Sequence, residues 1–305
     1  MNKRILCMGS INIDLVMFMD KMPAVGESVV TDNFATYPGG KGGNQAAVAA
    51  TLGGDVRYFT KLGDDAFSAQ LTAELKRRGV DMRHVISVSG DTAGVAMIRV
   101  DAEGRNSISF TAGANARLTA ADVRANQAVF EGCDILLITM EIQLETVYEA
   151  IRIARQRGMT VIIDPSPVPT GGLPPEICRM IDYAKPNETE AEALSGIAVT
   201  DMRSAAKACE QLSLLGIRTP IISMSDKGAY TVIDGKPLVL RPVKVNAIDS
   251  TAAGDVFLGA FAAALSRGLS VKDGLRFANT AAALSTTRKG AQSSIPSLGE
   301  VEVVL

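Results

Sequence analysis

Four short stretches hold residue types that could do chemistry together. Pro38-Gly39-Gly40-Lys41-Gly42-Gly43-Asn44 runs directly into an Ala-rich segment. Glycines allow close backbone approach to a ligand, and a helix start offers free amides and partial positive charge. The stretch is not a Walker A loop, because Gly42 rather than Ser or Thr follows Lys41, and it is not GxGxxG. Read alone, it is also a plain strand-to-helix turn. Gly9-Ser-Ile-Asn12-Ile-Asp14 follows apolar Ile5–Met8, so Asn12 and Asp14 fall just past a strand's carboxyl end. Open α/β sheets bind ligands there, although Asx residues serve turns everywhere. In Asp249-Ser-Thr-Ala-Ala-Gly254-Asp255, small residues precede a helix with Asp255 in its first turn. Amides of Ala252, Ala253, Gly254 and Asp255 could hold an anion that develops during reaction. Asp255 would also simply favour the helix dipole, but that leaves the run of small residues unexplained. Finally, Lys185-Pro-Asn187-Glu-Thr-Glu190 has the spacing of a capping box, which accounts for much of that motif.

Composition narrows the chemistry. The chain of 305 residues has one histidine, His84, in a polar joint after Asp81-Met-Arg. A Ser-His-Asp triad, a Cys-His pair or a multi-His metal site would all have to use it. His84 reads as a loop residue, and acid–base work falls to carboxylates. Lys plus Arg is 31 and Asp plus Glu is 33. That balance argues against a nucleic-acid binder, which is usually strongly basic. Cys7, Cys133, Cys178 and Cys209 are scattered beside apolar residues with no CxxC. They read as buried reduced thiols. The apolar start is too short for a signal peptide, and no run approaches a bilayer span. A cytoplasmic protein without membrane partners is expected.

These residues need elements to position them. Ile5–Met8, Val56–Thr60, Ile135–Met140, Thr160–Ile163, Ile181–Ala184 and Pro220–Met224 read as short buried strands. Between them, Gln45–Leu52, Asp65–Arg78, Leu144–Arg157, Ala191–Leu194 and Ser204–Leu215 have helical spacing, and Asp255–Ser266 and Val271–Arg288 form a last helical pair. Alternating strands and helices imply right-handed crossovers and a mostly parallel sheet flanked by helices. Leu15–Tyr37 instead alternates like strand, and Thr92–Val100 and Asn106–Phe110 flank a hairpin turn at Gly104. A small sheet standing off the main one follows. Its apolar positions, such as Val16, Phe18 and Met97, would need cover from another chain or a closed ligand site. No linker separates independent domains, so residues 1–305 read as one α/β domain.

Taken in order, these motifs resemble the ribokinase family of carbohydrate kinases. Gly39–Asn44, Asn187–Glu190 and Asp249–Asp255 occur in that family's sequence order and at its spacings. Gly9–Asp14, Ala112-Gly-Ala-Asn115 and Thr287–Gln292 match ribokinases in particular. The likeness runs from about Ile5 to Pro296. It implies a doubly wound α/β fold with a protruding β lid, here about 15–36 and 92–111, and a homodimer whose lids clasp.

The resemblance implies transfer of the γ-phosphoryl of ATP to the 5-hydroxyl of ribose, with 2-deoxyribose, another sugar or a nucleoside, or a catalytically silent sugar-binding protein, as alternatives. Asp255 matches the general base, and the amides of Ala252, Ala253, Gly254 and Asp255 match the anion hole. Sugar contacts carry over to Asn12, Asp14, Gly40, Lys41, Gly42, Asn44 and Glu141. Asn187 and Glu190 match the motif that organises phosphate and Mg²⁺. Ser223, Ser225, Lys227, Gly228, Gly254 and Asn279 match nucleotide positions, although Ser225 stands where the family usually has Gly. Asp249, Thr251, Ser285, Arg288, Gly290 and Ser294 match a K⁺ site. Asp164-Pro165 replaces the Asn-Pro of many ribokinases, and Ala252 replaces a glycine common in the wider family.

Overall fold

Side-chain alternation in the first strand sets the architecture. In β1 (Arg4–Met8), Ile5 and Cys7 face one way and Leu6 and Met8 the other, and all four are fully buried. A strand buried on both faces needs helices on both, which favours parallel α/β layering. The computed structural model has this layering and describes residues 2–31 and 33–305. Met1, where the apolar N-terminal stretch begins, and Asp32, inside the expected lid, lie outside the described residues.

After β1 the chain forms β2 (Asn12–Phe18), β3 (Asn33–Gly39), α1 (Lys41–Thr51), β4 (Asp55–Phe59), β5 (Lys61–Gly63), α2 (Ala66–Arg77), β6 (Ile86–Val88), β7 (Gly94–Val100) and β8 (Asn106–Thr111). There follow α3 (Ala120–Ala125), β9 (Ile135–Thr139), α4 (Leu144–Gln156), β10 (Thr160–Asp164), α5 (Pro175–Cys178), β11 (Tyr183–Ala184), α6 (Glu188–Ser195) and α7 (Met202–Leu214). The chain closes with β12 (Thr219–Ser223), β13 (Ala229–Ile233), β14 (Lys236–Leu240), α8 (Ala253–Ser266), α9 (Val271–Ser285) and α10 (Leu298–Val304).

The main sheet has eight strands in the order β14-β13-β12-β11-β10-β9-β1-β4. It is parallel from β12 to β4 and ends in an antiparallel hairpin, β13–β14, that the apolar runs did not reveal. Helices α1, α2, α8 and α9 share one apolar core with Ile5 and Cys7. Helices α3, α4, α6 and α7 share the other with Leu6 and Met8. The chain crosses from β1 to β4 on one side, then builds β9 to β12 on the other. The reversal opens a crevice at the carboxyl ends of β1 and β9. Among the described residues no helix is long and apolar enough to cross a membrane.

The second sheet, in the order β3-β2-β7-β8, is the lid. It departs from expectation in extent. Its strands begin at Asn12 and end at Gly39, so they run into the site, whereas 19–31 is loop and turn rather than strand. Register places Asn12, Asp14, Val16 and Phe18 on one face with Ile108 and Phe110. Phe18, Ile108 and Phe110 are exposed, as is Met97 on the opposite face. Val16 is buried, because Ala35 and Ile98 flank it.

Candidate active site

The crevice is closed by contacts between residues far apart in sequence. Ser10, just past β1, donates to Glu141, just past β9, at 2.5 Å. The Lys41 amide at the start of α1 donates to the same Glu141 oxygen at 3.1 Å. Gly40 caps α1 at φ 81°, and a Cβ there would lie 2.8 Å from the Ile11 Cα. A left-handed, crowded position of this kind selects glycine. Gly42, expected at the sugar, is held by close packing. It packs against Gly9 and the Tyr58 hydroxyl, and a Cβ would come within 2.7 Å of both.

Asp255 lies in the first turn of α8 and is buried. Asn44 Nδ2 donates to one of its oxygens at 3.0 Å and Gln45 Nε2 to the other at 3.1 Å. The same Gln45 nitrogen donates to buried Asp164, at the end of β10, at 3.0 Å. Lys41 Nζ sits 3.3 Å from Asp164 and 3.9 Å from Asp255. Asn44 also accepts from Gln292. Burial pushes the Asp255 carboxyl up to about 6; the Lys41 charge opposes the rise and the Asp164 charge adds to it. Burial disfavours the Lys41 charge, yet Asp164, Asp255, Glu141 and Glu190 together hold its ammonium above the ordinary range. A carboxylate so placed is ionised at neutral pH and still basic enough to accept a proton.

The start of α8 completes this end. Ala252 caps the helix in the left-handed region, φ 58°, with no side-chain cap. The Ala253 amide turns to the Ser250 carbonyl at 3.2 Å. Among the described residues the amides of Ala252, Gly254 and Asp255 have no acceptor. Three amides rather than four are thus available to an anion.

At the root of the lid, Asn12 and Asp14 are successive same-face residues of β2. Asn115 Nδ2 donates to Asn12 Oδ1 at 2.9 Å, and the Ile11 amide donates to Asn115 Oδ1 at 3.0 Å. Burial pushes Asp14 up to about 6, with Glu141's charge adding to it. The polar groups Asn12, Asp14, Glu141 and Lys41 therefore border the cleft between lid and sheet.

Asn187 and Glu190 form the capping box their spacing suggests, with reciprocal bonds of 2.9 Å at the start of α6. Glu190 still acts on Lys41 electrostatically, so it lies near the cluster. Ser223 ends β12, and its hydroxyl donates to the Pro186 carbonyl at 3.4 Å. Ser225 adopts φ 44°, a conformation that favours glycine. Gly228 adopts φ 90°, where a Cβ would meet the Leu240 carbonyl. At two further expected nucleotide positions, Lys227 Nζ donates to the Thr200 carbonyl at 2.9 Å, and Asn279 Nδ2 to that of Arg241 at 2.8 Å.

The residues expected at a monovalent cation gather beside α8. The Ile248 and Asp249 amides donate to the Thr286 carbonyl. Asp249 accepts from Thr251 and from the Gly290 amide at 2.8 Å. Ser285 and Ser294 are buried and bond to local carbonyls, while Arg288 pairs with Glu300 on α10. Among the described residues no group of three or more His, Cys, Asp or Glu is placed to hold a metal. His84 lies half-buried in the turn before β6, beside Arg57 and Asp81. Cys7, Cys178 and Cys209 are buried free thiols, and Cys133 is half-buried. No motif singles out Gln45 as the residue that spans two carboxylates, because Gln in an Ala-rich helix carries no positional signal.

Residues 2–298 match the profile of the pfkB family carbohydrate kinases. A ribokinase of Haemophilus influenzae is 38% identical over 300 residues, covering 98% of this chain and 97% of that protein. A deoxyribokinase of Salmonella typhi is 35% identical over 294 residues, 96% of each. The structure of Arabidopsis thaliana ribokinase complexed with ribose and ATP superposes with a TM-score of 0.89 at 30% identity, covering 100% of this chain and 99% of that one.

Proposed function

This chain belongs to the pfkB family of carbohydrate kinases, and from that premise we propose that it transfers the γ-phosphoryl of ATP to the 5-hydroxyl of D-ribose. The observation that carries the reading is Asp255: a buried carboxylate, held by Asn44 and Gln45, at the mouth of three unpaired amides. Full-length likeness to ribokinases, one with ribose and ATP bound, supplies the substrate pair.

Asn12, Asp14, Gly40, Lys41 and Glu141 orient the sugar, since acidic and amide groups suit vicinal hydroxyls. The hydroxyl oxygen forms the new bond to the γ-phosphorus as the bridging bond to ADP breaks, and the proton passes to Asp255. The Ala252, Gly254 and Asp255 amides take the charge on the transferring group, where positioning and electrostatics supply most of the acceleration. Asn44 and Gln45 hold the base, and the lid excludes water. Mg²⁺ supplies charge neutralisation on the phosphates when bound. Glu190 and Asn187 suit it, because Mg²⁺ is usually held by one or two carboxylates plus phosphate oxygens and water. The oxygen donors of Asp249, Thr251 and the 285–294 turn suit K⁺ in the same way, with Asp249 pinned by Gly290. We place the protein in the cytoplasm as a homodimer, with exposed Phe18, Ile108 and Phe110 as the surface for a second lid.

A second reading, phosphorylation of 2-deoxyribose, is carried by the likeness to the Salmonella typhi deoxyribokinase. Initial rates of ADP release with Mg-ATP and K⁺ separate the two. The expected result is a higher kcat/KM for ribose than for 2-deoxyribose, fructose or adenosine. A preference for deoxyribose would overturn the ribose assignment and leave the chemistry in place.

A further inference from the structure

Lys185 is a buried cation close to the start of α8. It follows β11, and its amide donates to the Ile163 carbonyl, continuing the strand beside Asp164. Side chains two apart along a strand share a face. Tyr183, two residues earlier, lays its ring 5.0 Å from that of Phe261 on α8. Lys185 therefore projects to the α8 side of the sheet, one step nearer its carboxyl edge. It arrives at the helix start: a Cβ added to Gly254 would lie 2.8 Å from Lys185 Nζ. Gly254 thus leaves room for the ammonium beside the start of α8, where the amides of Ala252, Gly254 and Asp255 have no acceptor among the described residues.

The residue is 95% buried, its relative exposure being 5%. Among the described residues its ammonium has neither an ion pair nor a hydrogen bond; the nearby carboxylates Asp164 and Asp255 pair with Lys41 instead. A buried charge without a partner is costly, so one that persists at a site points to a ligand that completes it. The helix start and the ammonium both call for an anion at one place.

Resting on the kinase reading, we infer that Lys185 contacts the γ-phosphoryl group of ATP and stabilises it as it moves from ADP to the sugar oxygen. The group's bond to the bridging oxygen breaks, its bond to the sugar oxygen forms, and the proton goes to Asp255. Lys185 takes no proton in this step and supplies positive charge alone. The consequence is selective: the cation serves the third phosphate and not the first two.

The test compares Lys185→Met and Lys185→Arg with the unaltered protein. Calorimetry measures the affinity for a non-hydrolysable ATP analogue and for ADP, each with Mg²⁺, alongside ribose affinity and thermal melting. Lys185→Met is expected to weaken the ATP analogue about 10- to 100-fold and to change ADP and ribose less than about threefold. kcat should fall about 100-fold, with part of both losses restored in Lys185→Arg. Lys185→Gln is a second neutral variant should Met fold poorly. Equal losses for ATP analogue and ADP, or none for either, would overturn the assignment. An unaltered protein that bound neither nucleotide would overturn the kinase reading instead.

Discussion

Replacing Asp164 by Asn should move the acid limb of the pH–rate profile downward. Asp255 must be ionised to take a proton, and its carboxyl sits at about 6. Activity in the unaltered protein therefore falls as pH drops through about 6. Asp164 and Asp255 accept from one Gln45 nitrogen at 3.0 and 3.1 Å. Their accepting oxygens are then no more than about 6 Å apart. Two unit charges at about 6 Å in an effective dielectric of about 20 repel by roughly 3 kcal/mol, or about two pKa units. Lys41 lies between them and screens part of this, so a shift of about one unit is the working value. The substitution also leaves Lys41 to pair with Asp255 alone, which pushes the same way. Asn keeps the shape and still offers an oxygen to Gln45. The assay is kcat at saturating ribose and ATP, by ADP release, from about pH 4.5 to 8, so that titration of Asp14 in the free sugar site does not enter. A limb that stayed near pH 6, or moved up, would refute the view that Asp164 tunes the base.

Three further outcomes follow from named contacts. Asp14 and Asp255 are both held near 6, above the ordinary 3.8. The folded protein therefore binds protons more readily than the unfolded chain between about pH 4 and 6, and stability rises as pH falls through that window. Calorimetric melting should give a higher Tm at pH 5 than at pH 7, by a few degrees; a lower Tm would contradict the sign. A Cβ on Gly94 would lie 2.0 Å from Asn12 Oδ1, so Gly94→Ala should displace Asn12. Ribose KM should rise about tenfold or more with ATP KM nearly unchanged, and equal rises in both would count against the placement. Arginine at both Ile108 and Phe110, exposed beside each other on β8, should leave a folded monomer by analytical ultracentrifugation, whereas a persistent dimer would exclude the lid as its interface.

How much of this was legible in the sequence varies by element. The buried strands announced themselves, because Ile135–Thr139 and Thr160–Asp164 are apolar on both faces and bounded by turns. The hairpin of β13 and β14 did not, since only three of its ten strand residues are buried and Asp234-Gly235 and Pro237 interrupt its short apolar runs. The carboxyl-edge positions of Asn12, Glu141 and Asp255 follow from strand and helix ends. The pairing of Asp164 with Asp255 does not, because Gln45 joins residues over a hundred positions away on two other elements. The bond from Lys227 to the Thr200 carbonyl is likewise invisible in the motif, since it joins two loops 27 residues apart. Gly42 and Gly43 share a glycine run, yet Gly42 is fixed by contact with Gly9 and Tyr58 and Gly43 by Ile11, a distinction only packing makes.

The most direct test of the central claim is ribose-dependent ADP release by the unaltered protein and by Asp255→Asn, with ribose affinity measured on both by calorimetry. Asn is close in shape to Asp, and loss of a general base costs about 10²- to 10⁴-fold in kcat, roughly 3–5 kcal/mol. Asp255→Asn should show a loss in that range, with ribose affinity within a few-fold. Turnover within tenfold of the unaltered protein, with ribose still bound, would contradict the role of Asp255 as base.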